Sequence, residues 1–218
     1  MDLTRPAILW DMDGTLVDSE PLHEAALVQA LRHVDLSPPE EFHKHIVGRD
    51  AREVHAWCRQ HLGLELELRD WLRLKYRTYF ASVARLKPRS GAVDLFNELS
   101  TEGFAQAVVS NSDRMIVSAN LDTVGLTDPG LITVSRNDVR DGKPLPEPYL
   151  RAAWLLQVDP KDCVVVEDSV TGAKAGLAAG MRTLFWPQTE MTVPEGAEPV
   201  VDLADLATSL RESGRSWP

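Results

Sequence analysis

The sequence is poor in cysteine, with only Cys58 and Cys163 among 218 residues, far apart and in no metal-ligand spacing. A disulfide framework or a cysteine-bound zinc site would need more. The chain also lacks an apolar run of membrane-spanning length, and no long apolar segment follows a basic N-terminus. These absences predict a cytoplasmic protein that does not interact with membranes and is held together without disulfides.

Positive charge is also scarce, since 23 Lys and Arg face 33 Asp and Glu and the net charge is −10. A nucleic-acid binder needs a basic surface to meet phosphates, so that class is disfavoured. A small phosphorylated substrate stays possible, because a metal ion and one or two lysines can reverse the local field. A length of 218 residues suits one large domain, or a core with a small insert.

The chain opens on an apolar run at residues 7–10, which predicts a buried strand of a parallel sheet. Asp11 and Asp13 follow at i, i+2 and can share one side of the strand end, where Gly14 lets the backbone turn. Two carboxylates held so close repel each other unless a cation or a proton lies between them. Taken alone, the pattern is better explained by a strand followed by an acidic turn.

The next part of the sequence predicts helices only. A helix at residues 22–34 ends at the break Ser37-Pro38-Pro39, and amphipathic patterns follow at 40–47, 50–62 and 67–84. The block is rich in aromatic residues, enough for a small core of its own. A hinge at residues 87–91 leads back into the main domain.

The remainder alternates strand and helix, which predicts right-handed crossovers and a parallel, doubly wound α/β sheet. Ligands of such sheets bind at the carboxyl ends of the strands. The predicted elements are helix 92–102, strand 104–109, helix 113–124, strand 131–134, helix 147–157, strand 163–167, helix 170–179 and strand 181–185.

Polar residues stand at the predicted strand ends. Ser110 and Asn111 come just before a helix and suit either a phosphate cradle or an ordinary N-cap. Lys143, taken alone, reads as an exposed surface lysine. Glu167 and Asp168 follow an apolar strand, and a helix cap would use only one of them. Together with Asp11 and Asp13 these groups suit phosphoryl transfer, with carboxylates for Mg²⁺ and a cation for the phosphate.

Taken together, these motifs resemble those of a known family. Four stretches carry the resemblance to the haloacid dehalogenase superfamily: residues 11–15, Ser110-Asn111, Lys143-Pro144 and residues 167–172. Within it, the chain is similar to the branch of small-molecule phosphatases with a helical cap, such as β-phosphoglucomutase and phosphoglycolate phosphatase. The resemblance implies a Rossmann-like core of residues 1–17 and 88–218 and an inserted all-helical cap of residues 18–87.

The resemblance also implies roles for the motif residues. Asp11 would be the nucleophile and form an aspartyl-phosphate, and Asp13 would be the general acid and base. Mg²⁺ would be held by the carboxylates of Asp11 and Asp168 and the backbone carbonyl of Asp13, with Glu167 acting through a water or as an outer neighbour. The residues implied for phosphate binding are Thr15, which would orient the loop, Ser110, Asn111 and Lys143.

In relatives the cap closes over the site and selects the substrate. The candidates for contacts from this region are Glu20, His23, Arg49 and Lys75. Arg49 is similar in placement to the cap arginine by which the phosphoglucomutase binds the substrate's far phosphate. The alternative for each is a solvated helix residue.

Two further patterns favour structural roles. His55 and His61 flank Cys58 at intervals of three, but on a helix the two imidazoles lie about 120° apart around the axis, too far to share a small ion easily. Glycines recur every four residues from Gly172 to Gly180 without the Gly-x-Gly-x-x-Gly spacing, which favours close packing of a helix on a sheet over a nucleotide loop.

The leading function is a Mg²⁺-dependent phosphatase acting on a small phosphorylated metabolite, such as a sugar phosphate, as a monomer or weak dimer. A phosphomutase of the β-phosphoglucomutase type is the alternative, because the motifs do not separate the two. A halide-releasing dehalogenase is disfavoured, since similar dehalogenases lack the second acid that Asp13 supplies. A phosphate-receiving signalling module is less favoured, because such modules are shorter and have no cap insert.

Overall fold

The computed structural model describes residues 6–46 and 51–212. The chain forms two compact units: one combines Met1–Asp18 with Lys87–Pro218, and the other is Ser19–Leu86. The first is an α/β unit and the second is helical. No helix in the described part of the chain has the length and apolarity needed to cross a membrane.

A six-stranded parallel sheet forms the centre of the α/β unit, in the order β5-β4-β1-β6-β7-β8. The prediction of a parallel, doubly wound α/β fold is thereby confirmed. The strands of this unit are β1 (Ala7–Trp10), β2 (Val17–Asp18), β3 (Lys87–Pro88), β4 (Gln106–Val109), β5 (Ile132–Val134), β6 (Cys163–Glu167), β7 (Arg182–Phe185) and β8 (Glu198–Pro199). Its helices are α5 (Ala92–Thr101), α6 (Arg114–Thr123), α7 (Glu147–Leu156), α8 (Val170–Ala178) and α9 (Leu203–Glu212).

Strand β1 lies at the middle of the sheet, where its four residues are fully buried as their unbroken apolar run predicts. Trp10 aligns with Val108 of β4 on one side and with Val166 of β6 on the other. Because all three strands run in the same direction, their carboxyl ends meet at one edge of the sheet. This register brings together the loops that follow them.

Helix α8 packs closely on the sheet because glycines face it. A Cβ on Gly176 would lie 2.7 Å from Thr183 Oγ1 and 3.1 Å from Val165 Cγ1. A Cβ on Gly172 would lie 1.6 Å from Glu167 Oε1. Such distances leave no room for a side chain, so the packing interpretation is confirmed for Gly172 and Gly176. It is wrong for Gly180, where a Cβ would have no atom within 4 Å and the backbone instead has a φ of +73° after the end of α8.

The helical unit contains α1 (Glu20–Arg32), α2 (Phe42–Ile46), α3 (Ala51–Leu62) and α4 (Leu68–Phe80). Its apolar core includes Leu31, Phe42, Cys58 and Trp71. Two helices are shorter than predicted: 40–47 forms only α2, and 67–84 ends at Phe80. A separate 3₁₀ turn follows at Val83–Arg85, where the apolar spacing continues although the α-helix does not.

The histidines around Cys58 make structural contacts. His55 Nε2 donates to the Leu66 carbonyl at 2.8 Å, and His61 Nδ1 donates to the Trp57 carbonyl at 3.0 Å. Cys58 is fully buried. Each imidazole thus serves the helical framework, in agreement with the structural interpretation of the motif.

Some elements have no signal in the sequence. Strands β2 and β3 pair antiparallel at the two points where the chain passes between the units, with Val17 opposite Pro88 and Asp18 opposite Lys87. A two-residue strand is too short to show a periodic pattern. Strand β8 and helix α9 lie beyond residue 185, where the predicted elements end.

Candidate active site

Asp11 follows β1 at the carboxyl edge of the sheet. Its N–H donates to the Val166 carbonyl at 2.9 Å, which continues the ladder with β6. The carboxylate is buried, and its Oδ1 accepts from Lys143 Nζ at 2.6 Å. The other oxygen, Oδ2, is buried and has no hydrogen-bond partner among the described residues. An ionised oxygen of this kind requires a cation or a reacting atom close to it.

Lys143 is the central cation of the site rather than a surface lysine. Its side chain is 3% exposed, and Nζ donates to Asp11 Oδ1 at 2.6 Å, Glu167 Oε1 at 2.7 Å and the Val109 carbonyl at 2.8 Å. Burial alone would lower the pKa of Lys143, but the carboxylates of Asp11 and Glu167 outweigh it, and the pKa is raised. The two carboxylates therefore favour the charged form of Lys143.

Asn111 holds the backbone on which Lys143 stands. Its Oδ1 accepts from the Lys143 N–H at 2.9 Å, and its Nδ2 donates to the Lys143 carbonyl at 3.1 Å. This pair of bonds joins the loop after β4 to the loop before α7. The side chain of Asn111 is thus engaged in placing the lysine.

Glu167 is fully buried and accepts four hydrogen bonds. Its Oε1 accepts from Lys143 Nζ and from the Tyr149 hydroxyl, each at 2.7 Å. Its Oε2 accepts from the Ser169 hydroxyl at 3.0 Å and from the Ser169 N–H at 3.3 Å. The Ser169 hydroxyl in turn caps helix α8 by accepting from the Gly172 N–H. Glu167 therefore organises the lysine, the tyrosine and the start of the helix.

Three carboxylates form a group that fits a divalent cation. Asp11, Glu167 and Asp168 each place one oxygen within 4.8 Å of the others. All are hard oxygen donors, which Mg²⁺ prefers, and the partnerless Asp11 Oδ2 gives an independent reason to expect a cation. Because Glu167 already accepts four hydrogen bonds, Asp11 and Asp168 have the greater capacity to bind the ion directly.

The raised pKa of Asp11 also indicates that a cation belongs beside its carboxylate. Burial raises the pKa of Asp11 well above its ordinary value, and the negative charge of Glu167 raises it further, while Lys143 opposes both. Ionised Asp11 is thus disfavoured in the chain alone. A divalent cation beside it would favour the charged form that a nucleophile requires.

Asp13 binds side chains of the loop after β4. Its Oδ2 accepts from the hydroxyls of Ser112 at 2.8 Å and Ser110 at 3.0 Å, and Asn120 Nδ2 lies 3.5 Å from Oδ1. Ser110, expected at the phosphate, thus donates to the second acid here. The bonds orient the Asp13 carboxylate toward the loop after β4.

The turn after Asp13 packs against Asp168. Gly14 has a φ of +90°, and a Cβ there would lie 2.0 Å from Asp168 Oδ2, so only glycine fits. Thr15 is fully buried, and its hydroxyl makes a long 3.5 Å contact with Asp168 Oδ1. Thr15 therefore lies in the turn beside the Asp168 carboxylate.

Those of the residues expected to contact substrate from the helical region that the structure describes lie on helices α1 and α4. Glu20 is exposed at the start of α1. The ring of His23 packs against that of Tyr79 at a tilt of 30° with centroids 4.5 Å apart, and Lys75 Nζ lies 5.9 Å from the centroid of Tyr76. Arg49 lies outside the described residues.

Comparison with known proteins shows the family. Residues 6–180 match the family model described as haloacid dehalogenase-like hydrolase, under the heading hydrolase. The chain is a haloacid dehalogenase-like hydrolase.

Relatives of this hydrolase support the same assignment. It is 34% identical over 181 residues to hexitol phosphatase A of Escherichia coli (strain K12), a match that covers 81% of this chain and 80% of the relative. It is 29% identical over 185 residues to an N-acetylmuramic acid 6-phosphate phosphatase of Pseudomonas aeruginosa, covering 81% of this chain and 79% of the relative. These matches confirm the expectation of an enzyme of this family, a phosphoric monoester hydrolase.

A solved structure extends the likeness to the fold. The crystal structure of CbbY from Rhodobacter sphaeroides in complex with phosphate superposes with a TM-score of 0.81 at 27% identity, covering 93% of this chain and 99% of that chain. The α/β architecture of the hydrolase is therefore that of its family.

Sequence patterns did not reveal every residue of this site. Tyr149, six residues after Lys143 on helix α7, was read only as part of a helix, although it binds Glu167. Ser112 directly follows the Ser110-Asn111 motif, and its hydroxyl donates to Asp13 Oδ2. Arg89 and Gln188 were unassigned, and both bind the Gly14 carbonyl from distant parts of the chain.

Proposed function

We propose that this hydrolase is a Mg²⁺-dependent phosphatase that hydrolyses a small phosphorylated metabolite, such as a sugar phosphate, through an aspartyl-phosphate on Asp11. The observation that carries the proposal is the buried Asp11 carboxylate, bonded through Oδ1 to Lys143 and partnerless at Oδ2. This arrangement suits a nucleophile that needs a cation on one side and a phosphoryl group on the other.

The first chemical step forms the covalent intermediate. A carboxylate oxygen of Asp11 attacks phosphorus, and the bond from phosphorus to the ester oxygen breaks on the opposite side. Asp13 gives its proton to that leaving oxygen, while Lys143 offsets negative charge beside the transferred phosphoryl group. The Ser110 hydroxyl, which donates to Asp13 in this structure, would turn to a phosphoryl oxygen of the bound substrate.

The second step regenerates the enzyme. A water attacks phosphorus, Asp13 takes the proton of that water, and the bond between Asp11 and phosphorus breaks to release inorganic phosphate. Mg²⁺, held by Asp11 and Asp168 with the Asp13 backbone carbonyl, would supply charge neutralisation for the phosphate in both steps. Glu167 would act indirectly, because its four hydrogen bonds position Lys143 and the start of helix α8.

Two relatives support a phosphorylated small molecule as the substrate, because they are named as phosphatases of a hexitol and of an N-acetylmuramic acid 6-phosphate. The helical unit would serve as the cap that selects it, with Glu20, His23, Arg49 and Lys75 as candidates for substrate contacts. A mutase of the β-phosphoglucomutase type is the second candidate, because the same carboxylates would return the phosphoryl group to another hydroxyl.

The first experiment measures hydrolysis of 4-nitrophenyl phosphate and of a panel of phosphorylated metabolites, with Mg²⁺ and with EDTA. We expect phosphate release only with Mg²⁺, and none from Asp11→Asn. Asp94→Asn, the same change at an exposed position of α5, is the matched control and should leave the rate unchanged. Metal-independent turnover, or full activity of Asp11→Asn, would contradict the proposal.

The intermediate and the mutase alternative have separate tests. The labelled substrate is 4-nitrophenyl phosphate, whose leaving group needs no proton from Asp13. After rapid acid quenching, labelled phosphate should stay on Asp13→Asn, which lacks the base for the second step, and not on Asp11→Asn. With a hexose phosphate as substrate, both the isomer and free phosphate are followed. Appearance of the isomer without phosphate release would replace the phosphatase with the mutase.

We further propose a cytoplasmic enzyme that acts as a monomer or weak dimer and binds no nucleic acid. Both cysteines are free and buried, and burial raises the pKa of Cys58 to about 11 and that of Cys163 to about 12. Thiols in this state are unreactive and suit a reducing compartment. Sedimentation at micromolar concentration tests the oligomeric state.

A further inference from the structure

Arg89 binds three backbone carbonyls beside the catalytic loop. It follows strand β3, and its own N–H donates to the Leu16 carbonyl at 2.9 Å. Nη1 of its guanidinium donates to the carbonyls of Trp186 at 2.6 Å and Gly14 at 2.9 Å, and Nη2 to that of Pro187 at 3.2 Å. The guanidinium also stacks on the Trp186 ring, 3.4 Å from its centroid. A planar fork held in this way has little freedom.

The Gly14 carbonyl receives a second donor on the same side. Gln188 Nε2 donates to it at 3.0 Å, so two side chains from distant parts of the chain converge on one peptide group. On its other side, Gly14 packs against the Asp168 carboxylate so closely that no Cβ would fit. The Gly14–Thr15 peptide, which begins one residue after Asp13, is therefore held by two hydrogen-bond donors, and Gly14 itself packs against a metal-site carboxylate.

The charge of Arg89 is not neutralised by these contacts, because carbonyls carry no net charge. The acidic groups that act on it are Asp168 and Asp18. Burial lowers the pKa of Arg89 to about 10, and the two carboxylates oppose that shift. The guanidinium is thus cationic at neutral pH and holds the loop by charge-assisted hydrogen bonds, which are stronger than neutral ones.

We propose that Arg89, assisted by Gln188, is a positioning residue that fixes the Gly14 peptide and thereby keeps Asp13 where it protonates the leaving oxygen. This inference rests on the proposed function. Of the residues implied for phosphate binding, Ser110, Asn111 and Lys143 are not among the hydrogen-bond partners of Arg89 in the described part of the chain, and Thr15 is expected only to orient the loop. Loss of Arg89 should therefore harm proton transfer more than substrate binding.

Two substrates of nearly equal shape separate proton transfer from other defects. The leaving group of phenyl phosphate is phenolate, a strong base that needs protonation as it departs. The leaving group of 4-nitrophenyl phosphate is a weakly basic anion that does not. The quantity to measure is kcat/KM, which reports the steps up to formation of the intermediate. A variant with a misplaced acid loses more on phenyl phosphate, and a variant with a merely loosened fold loses equally on both.

For Arg89→Gln we expect kcat/KM to fall roughly 10- to 100-fold on phenyl phosphate and less than about 3-fold on 4-nitrophenyl phosphate, part of the roughly 10²- to 10⁴-fold that general acid catalysis contributes. Arg89→Lys should recover little, because an ammonium cannot span three carbonyls and stack on the indole. Combined with Asp13→Asn, the substitution should add no further loss on phenyl phosphate.

Arg182→Gln is the matched control. Arg182 is likewise partly buried and binds the Glu198 carboxylate and the Ser209 carbonyl at the far end of β7. The Arg182→Gln substitution should lower the thermal stability of the protein. It should not change the ratio of kcat/KM on phenyl phosphate to kcat/KM on 4-nitrophenyl phosphate. If Arg89→Gln does not fold, Gln188→Ala carries the test, with the same direction of change in the ratio.

An unchanged ratio in folded Arg89→Gln or Gln188→Ala would overturn the positioning role, while wild-type turnover of both esters would leave the phosphatase proposal standing. Absence of wild-type turnover on both esters would instead refute the proposed function, and with it this inference. The two failures are therefore distinguishable in one data set.

Discussion

Tyr149→Phe isolates a single buried hydrogen bond to a charged group. The tyrosine is fully buried, and its hydroxyl lies 2.7 Å from Glu167 Oε1. Removal of the hydroxyl keeps the ring, its packing in the core and its position 4.9 Å from Lys143 Nζ. Glu167 also keeps its bonds to Lys143 and Ser169, so its charge stays paired. The change thus removes one hydrogen bond and little else.

A hydrogen bond to a charged group contributes about 1.5–3 kcal/mol to stability. A chain of this length loses about 2–4 °C in Tm per kcal/mol, so the transition of the α/β unit should fall by about 3–12 °C. The assay is thermal unfolding followed by circular dichroism in Mg²⁺-free buffer. Burial raises the pKa of Tyr149 well above its ordinary value, and nearby Glu167 raises it further, so the hydroxyl keeps its proton at neutral and mildly alkaline pH and the result should not depend on pH there.

Tyr76→Phe is the matched control, since it makes the same chemical change on helix α4 of the other unit. It should leave the transition of the α/β unit in place. A Tyr149→Phe protein whose Tm equals that of the wild type within about 1 °C would refute the view that Glu167 depends on this bond. Equal losses in the two variants would assign the effect to general packing.

The raised pKa of Asp11, caused first by burial and then by Glu167, makes the folded state bind its proton more tightly than the unfolded state. Stability of the metal-free chain should therefore fall as pH rises above about 4, the unfolded value; Asp11→Asn should lack this fall, and Mg²⁺ should raise the Tm of the wild type more than that of Asp11→Asn. A Tm difference between the two proteins that does not grow with pH would contradict this. Gly172→Ala should destabilise the chain by about 1–3 kcal/mol and lower activity, because its Cβ overlaps the Glu167 carboxylate, whereas Thr171→Ala, at the exposed neighbouring position, should change stability by less than about 0.5 kcal/mol. Urea unfolding measures both, and equal effects would rule out the overlap as the cause.

Much of the α/β unit could be predicted because its signals are local. The apolar run at residues 7–10 and the alternation after residue 92 need no knowledge of distant contacts. In the helical unit the pattern predicted the element type well and the ends poorly, since α4 stops at Phe80 although the apolar spacing continues. Helix ends depend on capping and on the neighbouring chain, which periodicity does not record.

In the candidate site, too, some residues could be predicted from the sequence, whereas their contacts could not. The four motifs and their order named Asp11, Lys143, Glu167 and Asp168, because each follows a strand and carries a residue type suited to phosphoryl transfer. The motifs did not reveal that Asp11 and Glu167 both bind Lys143. In isolation, Lys143 resembles an exposed lysine, yet its side chain is 3% exposed.

The sequence by itself determined the alternation of strands and helices, the family motifs and the acidic character of the site, because these depend on neighbours within a few residues. Only the tertiary structure decided which groups meet. Arg89 and Gln188 reach the Gly14 carbonyl across 75 and 174 residues of chain, and Tyr149 reaches Glu167 across 18. Hydrogen bonds depend on distance and direction in space, which the folded sheet sets and the order of residues does not record.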